Sequence, residues 1–492
     1  MSMDRKEDFD DSMSLLSLNH LSYESPSSVC AASQRNQSQI NFQPRSYAGI
    51  DSGTQMSLVF NAGSAMTLGP TSMINLKIRV ANPNVGGTDA LFWAWGNNIV
   101  AANDGERFTN SGGSIMNLFS EISCNARSGE LLFRELYSNQ SKTTSRLYKI
   151  NKERRGYLGM MGGATHNTSG VLKFPLFPLN QDISFSIPLG ELSAMFNTSA
   201  PIPPQLLSGA TLRLSLAKPS QAITLYTSAA GTTLATTNQA ATVVSITEAT
   251  CYLDQVELFD SVNSLILSSA NSLETSGLQY AYSTLFTSQY PVGGTGNIDV
   301  QLSAARIRNI TVKFVKRVAP DWGTPAGYTG PMAAASIAEV SSATDRDANG
   351  LQGMKFRFRL GNLVLPLFDI QTATQAYAML KDALCNISFD SCEDPDSLKV
   401  VNKLSPCAIE YSDYVHNDSQ NAGASGLGSG CFMVGLNFER SNALNISGLS
   451  SSNNRVLTFE WSGIEADLYN AVISVEYLQI ANVSTSNVVV NK

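Results

Sequence analysis

The segment Ile74-Asn75-Leu76-Lys77-Ile78-Arg79-Val80 decides the fold class, because every second residue is apolar and the residues between are polar or charged. Successive side chains of a strand point to opposite faces of the sheet, so this alternation predicts a β-strand with one buried face. The same pattern recurs in Ile183–Ile187, Leu212–Leu216, Ile310–Phe314, Phe356–Leu360 and Leu457–Trp461. Clean alternation favours antiparallel sheets that cover a core on one side. The sequence therefore predicts an all-β protein.

The strand pattern fills two successive stretches of similar length in the 492-residue chain. Two units of this size fit the usual length of a domain. We predict an N-terminal arm at residues 1–50, a first β unit at 51–259, a connecting helix and linker at 260–282, and a second β unit at 283–492. The arm lacks sustained periodicity, and we expect it to order only against a partner or against the underside of its own domain.

Short helical inserts are predicted inside both units. Thr372-Ala373-Thr374-Gln375 has the form of a capping box and is followed by apolar residues at helical spacing. Residues Ser145 to Tyr157 predict a basic helix in the first unit. Asp260 is a suitable N-cap for the connecting helix.

Composition excludes several classes of function. The formal net charge of −7 argues against a protein that packages nucleic acid by neutralising phosphates. The chain lacks an apolar run long enough for a membrane span, and its acidic start predicts that it is not secreted. Seven cysteines without a CxxC pair indicate reduced thiols. Only 15% of residues are charged, which fits either a surface hidden in subunit contacts or loops rich in Ser, Thr and Asn.

Candidate sites for catalysis and metal binding are weak. The three histidines, His20, His166 and His416, are isolated in the sequence. Asp345–Gly350 has the first half of a calcium loop, but Phe356 replaces the glutamate required at the twelfth position, so a polar turn is favoured. Cys385, Cys392, Cys407, His416 and Cys431 are spaced too widely for a typical zinc site. We therefore predict that the protein is not an enzyme. We also predict no catalytic, cofactor-binding or metal-binding residues and no cofactor.

Two basic segments and one tryptophan pair leave alternatives open. One basic segment runs from Lys142 to Arg155, and the other contains Arg306, Arg308, Lys313, Lys316 and Arg317. A capsid interior or an anionic lipid surface fits either segment, but a solvated face or intersubunit ion pairs are favoured. Trp93 and Trp95 share one face of a strand or loop. They fit a sugar-binding platform or burial at a subunit seam.

An ordered series of segments resembles the major capsid proteins of the double jelly-roll lineage, most closely those of Polinton-like viruses and virophages. The segments that carry this resemblance are Met73–Arg79, Gly113–Phe119, Ile122-Ser123, Gly129–Leu136, Phe185–Phe196, Ile202–Leu207, Phe356–Leu384 and Val434–Arg440. The resemblance covers about residues 51–492 and omits the arm.

The resemblance implies two tandem eight-stranded antiparallel jelly rolls. It also implies homotrimeric, pseudo-hexameric capsomers that tile an icosahedral virion shell. The partners would be other copies of the chain, neighbouring capsomers, and penton and minor capsid or cement proteins, without sequence-specific nucleic-acid binding. The protein would be made inside the host cell and found in the virion, and an internal membrane stays an open question.

Two other functions remain to be weighed. A tandem β-sandwich that binds or cleaves carbohydrate would need exposed aromatic side chains on one sheet face, or two carboxylates across a cleft. A vertex protein of a virion typically needs only one jelly roll, so the doubling of the pattern argues against it.

Overall fold

The structure is a computed structural model. It describes residues 32–51, 53–61, 63–83, 91–95, 114–136, 159–163, 165–166, 172–173, 175–198, 201–227, 241–259, 278–316, 340–342, 350–385, 432–439, 448–451, 455–483 and 488–491.

Two four-stranded antiparallel sheets form the first unit. Their strands are β1 (Ala32–Asn41), β2 (Gln55–Val59), β3 (Met66–Ala81), β5 (Phe119–Asn125), β6 (Leu131–Leu136), β10 (Asp182–Pro188), β11 (Thr211–Leu216) and β13 (Val243–Leu258). Smaller sheets are built from β4 (Phe92–Trp95), β9 (Phe177–Pro178) and β12 (Ile223–Tyr226), and from β7 (Thr165–His166) and β8 (Leu172–Lys173).

The strand order of the first unit is that of a jelly roll. The two sheets have the orders β1-β13-β3-β10 and β2-β11-β5-β6. When the eight strands are numbered in chain order, the first sheet has the order 1-8-3-6 and the second sheet has the order 2-7-4-5. Eight strands in two packed sheets with such long-range neighbours make a jelly roll.

The predicted alternation places the core of this roll between its two sheets. On β3 the side chains of Ile74, Leu76 and Ile78 are buried, and Leu212 and Leu214 of β11 belong to the same core cluster. The residues between them on β3 are only partly buried. The alternating pattern predicted at these positions is confirmed.

Strand β1 corrects the predicted start of the first roll. Its residues lie inside the segment assigned to the arm, yet they pair with β13 from Ala32↔Leu258 to Asn41↔Thr250. The sequence analysis missed this edge strand because its residues are polar on both faces. The first roll therefore begins before residue 51, and residues 1–31 lie outside the described residues.

The second unit contains fewer but longer strands. They are β14 (Leu278–Val300), β15 (Ile307–Lys316), β16 (Lys355–Leu360), β17 (Leu363–Ile370), β18 (Met433–Asn437), β19 (Leu457–Val483) and β20 (Val488–Asn491).

Two of these strands each serve both sheets of the second roll. Residues 278–292 of β14 pair with 469–483 of β19, and residues 297–300 pair with 457–460, with register shifts at Gly294 and Gly296 between the two stretches. A Cβ atom at Gly296 would come within 2.7 Å of the Trp461 ring, so a larger residue at this bend would force the ring to move.

The second roll repeats the strand order of the first. One sheet runs through the first part of β14, the last part of β19, β15 and β18. The other runs through the last part of β14, the first part of β19, β16 and β17. When each bent strand is counted as two, the first of these sheets again has the order 1-8-3-6 and the second again has the order 2-7-4-5. Both predicted eight-stranded jelly rolls are confirmed.

Helices are short and lie at the ends of strands. Four α-helices are described: α1 (Leu189–Leu192), α2 (Pro204–Leu207), α3 (Pro219–Ala222) and α4 (Ala373–Cys385). Ile115–Leu118 and Ala194–Phe196 are 3₁₀ turns. The predicted capping box is confirmed at α4, where the Gln375 amide donates to Thr372 Oγ1 at 3.2 Å and the Thr372 amide donates to Gln375 Oε1 at 3.4 Å. The predicted basic helix and connecting helix lie outside the described residues.

Candidate interaction surfaces

Two tyrosines of the second roll anchor it to the first. Tyr280 and Tyr282 are two residues apart on β14, so both point to the face that packs on the first roll's core cluster. Tyr282 Oη donates to the carbonyl oxygen of Leu132 in β6 at 2.6 Å. Tyr280 Oη donates to the carbonyl oxygen of Met195 at 3.1 Å and also bonds to Thr198 Oγ1 at 2.6 Å. The predicted linker, 260–282, thus ends within a strand that joins the rolls.

We call this boundary between the two rolls, where Tyr280 and Tyr282 contact Met195 and Leu132, the seam. Burial favours the protonated form of the phenols at the seam. It raises the pKa of Tyr280 and Tyr282 above the ordinary tyrosine value, and it raises the pKa of Tyr477 to about 12. Burial disfavours the phenolate because a charge is poorly solvated in the protein interior. The hydroxyls therefore remain hydrogen-bond donors well into the alkaline pH range.

A cluster of two arginines and two glutamates lies beside the seam. Arg306 Nη2 and Arg308 Nη2 donate to the Glu439 carboxylate at 2.9 and 3.2 Å, respectively. Arg308 Nη1 lies 3.4 Å from Glu476 Oε1 and donates to Ser283 Oγ at 2.7 Å. The cluster is neutral as a whole and links β14, β15, β19 and the residues after β18.

This cluster decides between the interpretations of the second basic segment. The predictions of a solvated face and of intersubunit ion pairs are both wrong for Arg306 and Arg308. Their ion pairs lie within the chain, and Glu439 is only 3% exposed. Lys313 is 1% exposed and is likewise not part of a solvated face. Arg317 and the first basic segment, residues 142–155, lie outside the described residues.

The edge strand β1 is held to β13 by a charged pair. The Arg35 guanidinium donates to both carboxylate oxygens of Asp254, with Nε to Oδ1 at 2.9 Å. Thr71 Oγ1 donates to the same carboxylate. The hydrogen bonds from Arg35 and Thr71 lower the pKa of Asp254 below its ordinary value against the opposing effect of burial. Most other side chains of β1 are exposed or half-buried and polar.

The tryptophan pair is part of the core. Trp93 and Trp95 are fully buried, with ring centroids 5.0 Å apart in an edge-to-face arrangement. Phe185 packs on both rings, at 6.1 and 5.4 Å. The two rings share a face, as the spacing predicts. The proposals of a sugar platform and of a subunit seam are both wrong at this position.

An exposed apolar bulge interrupts the edge strand β17. Leu365 pairs with Phe358 and Ile370 pairs with Phe356, so β17 advances five residues while β16 advances two. Leu367 and Phe368 lie in this bulge and are 88% and 52% exposed. Two neighbouring apolar side chains exposed on an edge strand make this bulge a candidate contact surface.

The remaining predicted site residues are mostly outside the described part of the chain. These include His20, His416, Asp345 to Asn349, and Cys392, Cys407 and Cys431. His166 lies in the two-stranded β7–β8 sheet. Among the described residues, no group of three or more His, Cys, Asp or Glu side chains is placed to hold a metal ion. Among the helices that the structure describes, none has the length and apolar character of a membrane span.

Sequence reasoning missed the surfaces that the structure makes most prominent. Tyr280 and Tyr282 have the two-residue spacing of a buried strand face, which was a usable signal. Leu367 and Phe368 break the strand alternation directly after Pro366, which signals a bulge. The glutamate partners of Arg306 and Arg308 lie more than a hundred positions away along the chain, and no local pattern points to them.

Comparison with known proteins gives a consistent result for the fold. No protein-family model and no curated protein matches the chain. A chain of the PBCV-1 virus capsid matches with a TM-score of 0.51 at 9% identity, over 96% of this chain and 99% of that one. The Faustovirus major capsid protein matches with a TM-score of 0.51 at 7% identity, over 98% of this chain and 99% of that one. A chain of the Sputnik virophage matches with a TM-score of 0.53 at 10% identity, over 94% of this chain and 89% of that one.

The chain has a double jelly-roll fold. The match extends over both rolls and the seam between them, because each comparison covers nearly the whole of both chains. At this level of identity the likeness concerns the fold, and it confirms the fold class predicted from the sequence.

Proposed function

We propose that the chain is the major capsid protein of an icosahedral virus and that it resides in the virion shell. The observation that carries the proposal is the likeness over nearly the whole chain to the PBCV-1 capsid chain and the Faustovirus major capsid protein. A single shared jelly roll would be weak evidence, since one fold serves many functions. Two rolls joined in one chain of matching length are a far more restrictive likeness.

The proposed capsomer is a homotrimer with a six-fold outline. Each chain contributes two rolls of the same strand order, so three chains arranged in a ring present six similar units. A closed ring of this kind repeats one contact between unlike surfaces of neighbouring copies. Such rings tile a shell by packing edge to edge.

The seam supports this assembly because it fixes the two rolls relative to each other. Tyr280 and Tyr282 bury their rings and satisfy their hydroxyls across it. A capsomer with a six-fold outline needs this rigidity, since a hinge between the rolls would let the outline vary. The apolar bulge at Leu367 and Phe368 supplies a surface for contact with a second copy.

The charge balance fits a shell protein that leaves genome contact to other components. The net charge of −7 disfavours binding to phosphates, and Arg306 and Arg308 are paired within the chain. Penton and minor capsid or cement proteins are the further partners that we propose. We assign the chain no catalytic role.

Negative-stain imaging of the purified full-length chain tests the proposal. We expect uniform particles with a hexagonal outline and three-fold symmetry, and sheets or closed shells at high concentration. Elongated two-lobed monomers at every concentration would contradict the proposed assembly. A parallel glycan array separates the carbohydrate alternative, for which specific retention would accompany a monomeric mass.

A further inference from the structure

The seam joins one side of the first roll to one side of the second. Tyr282 bonds to Leu132 in β6, an edge strand of one sheet of the first roll. Tyr280 bonds to Met195 in the turn that follows β10 and α1, and β10 is an edge strand of the other sheet. Both tyrosines lie on β14, which forms one edge of each sheet of the second roll. The seam therefore uses one pair of edges of each roll, and a second pair lies opposite.

We call the second pair of edges of each roll its far side. On the first roll the far side consists of β1 and β2, and the chain passes between them where the Gln43 amide donates to the Ser57 carbonyl oxygen at 3.1 Å. On the second roll it consists of β17 and β18, which end the strand order opposite β14. In the part of the chain that the structure describes, β1 pairs with β13 alone and β17 pairs with β16 alone. Both are therefore edge strands, with backbone N–H and C=O groups directed away from their sheets.

The most exposed apolar side chains lie on these two far sides. Among the large apolar residues that the structure describes, the three with the greatest exposure are Leu367 at 88%, Val59 at 56% and Phe368 at 52%. Leu367 and Phe368 lie in the bulge of β17, and Val59 is the last residue of β2. A single exposed apolar side chain is ordinary, but here the three largest exposures fall on two edge strands. Each far side therefore offers apolar surface that a contact would bury.

A ring of three chains determines which of these surfaces meet. The rolls alternate around such a ring, so each second roll lies between the first roll of its own chain and the first roll of the next. The seam already takes up the β14 side of the second roll and the β6–β10 side of the first. The contact between copies is therefore left to the two far sides. Because both rolls have the same strand order, this contact places the fifth and sixth strands of one roll against the first strand of another, as the seam does.

The charged residues of these edge strands do not oppose the contact. Arg35 is the one charged residue of β1, and its guanidinium is hydrogen-bonded to Asp254. Asp369 is the one charged residue of β17, and its carboxylate lies 3.5 Å from Arg357 Nη1. Burial of either strand edge would thus leave no unpaired charge behind.

We propose that neighbouring copies of the chain meet through β17 of one copy and the β1–β2 side of the next, with Leu367 and Phe368 buried against the side that carries Val59. The proposal rests on the proposed capsomer, because it takes the ring of three chains as given. Strand β1 contains no tyrosine, so the bonds from Tyr280 and Tyr282 at the seam have no counterpart in this strand. The contact is therefore easier to open than the seam, and the copies separate before the rolls do.

Photo-cross-linking of the full-length chain locates the contact. The photoreactive amino acid p-benzoylphenylalanine replaces Leu367, whose high exposure accommodates it. This unlabelled variant is mixed with unmodified chain labelled with heavy nitrogen, and the mixture is diluted, concentrated again and irradiated. A cross-linked peptide with one unlabelled and one labelled half then reports a contact between copies. We expect the labelled halves to come from β1 and β2.

The matched control carries the same photoreactive amino acid in place of Val489. This residue is 47% exposed on β20 and belongs to neither far side. We expect it to give no cross-link to β1 or β2 of another copy. Trimers whose cross-links from position 367 reach other segments, β17 itself included, would overturn the proposal and leave the capsomer standing. A chain that stays monomeric would overturn both.

Substitution of the opposite surface gives an independent readout. Val59→Asp adds a charge on β2, and Val489→Asp adds the same charge at an exposed valine outside both far sides. We expect Val59→Asp to raise at least about fivefold the concentration at which half of the chains are in trimers, and to lower the cross-link yield from position 367. Val489→Asp should change neither, and both variants should keep the circular dichroism spectrum of the unmodified chain. Equal behaviour of the two variants would contradict the proposal.

Discussion

Tyr282 Oη and the carbonyl oxygen of Leu132 lie 2.6 Å apart, although Tyr282 belongs to the second jelly roll and Leu132 to the first. Both residues are buried, and the Tyr282 ring is part of the first roll's core cluster. The two rolls therefore share a core at the seam and do not form two independent domains on a flexible tether.

Removal of this hydrogen bond should destabilise the chain. In Tyr282→Phe the Leu132 carbonyl is left buried without its donor, and we expect a loss of about 1–3 kcal/mol in the free energy of unfolding. Urea denaturation followed by far-UV circular dichroism measures this loss. The matched control is Tyr47→Phe, which removes a 2.6 Å bond from Tyr47 Oη to the Gln43 carbonyl at an exposed site. There we expect a change within about 0.5 kcal/mol, and equal losses in both variants would contradict a special role of the seam.

The attachment of β1 should weaken in acid. The pKa of Asp254 is lowered in the folded state, chiefly by the hydrogen bonds from Arg35. The stabilisation is therefore fully present above the ordinary aspartate pKa of 3.8 and is lost as the pH falls through the lower folded-state value. Hydrogen exchange followed by mass spectrometry should show faster exchange of residues 34–41 as the pH falls through that range, after correction for the intrinsic exchange rate.

Asp254→Asn should reproduce the acid effect at neutral pH, because it removes the charge that Arg35 and Thr71 contact. Glu248→Gln is the control, since the Lys77–Glu248 pair also links two strands of this sheet but is exposed on both sides. Exchange in β1 that responds equally to both substitutions would contradict a specific role of Asp254.

The two described cysteines of the first roll should be inert. Burial raises the pKa of both the Cys124 and the Cys251 thiols to about 12, so hardly any thiolate exists at pH 8. Iodoacetamide should leave both unmodified in the folded chain and label both in urea, as measured by peptide mass spectrometry. Labelling of either thiol without denaturant would show that the roll opens locally.

The apolar bulge should matter for assembly and not for folding. Leu367→Asp adds a charge to a side chain that is 88% exposed, so we expect a change in unfolding free energy within about 0.5 kcal/mol but a reduced trimer fraction in sedimentation velocity. Asn297→Asp, at an exposed position of the same roll, should leave the trimer fraction unchanged. An unaltered trimer fraction in Leu367→Asp would place the contact between copies elsewhere.

Local features of the fold could be predicted from the sequence because their cause is local. The alternation of Ile74–Val80 fixes which side chains enter the core, and the spacing of Thr372 and Gln375 fixes the start of α4. Strand β1 escaped prediction because an edge strand with polar residues on both faces carries no alternation. Its structure depends on the pairing with β13, more than two hundred residues away.

The surfaces were less predictable than the core for the same reason. The spacing of Trp93 and Trp95 places them on one face, but only the closure of the roll shows that this face is the core. The sequence shows that Arg306 and Arg308 are basic, whereas their pairing with Glu439 and Glu476 depends on the strand order of the second roll. Contacts that arise from topology leave no pattern in a short window of sequence.

Native mass spectrometry of the purified full-length chain tests the central claim most directly. Two rolls of the same strand order, fixed to each other at the seam, should assemble into a capsomer, so the dominant species is predicted to have three times the mass of the chain. Dilution should release monomers without intermediate aggregates of variable size. A species with the mass of a single chain at all concentrations would contradict the account.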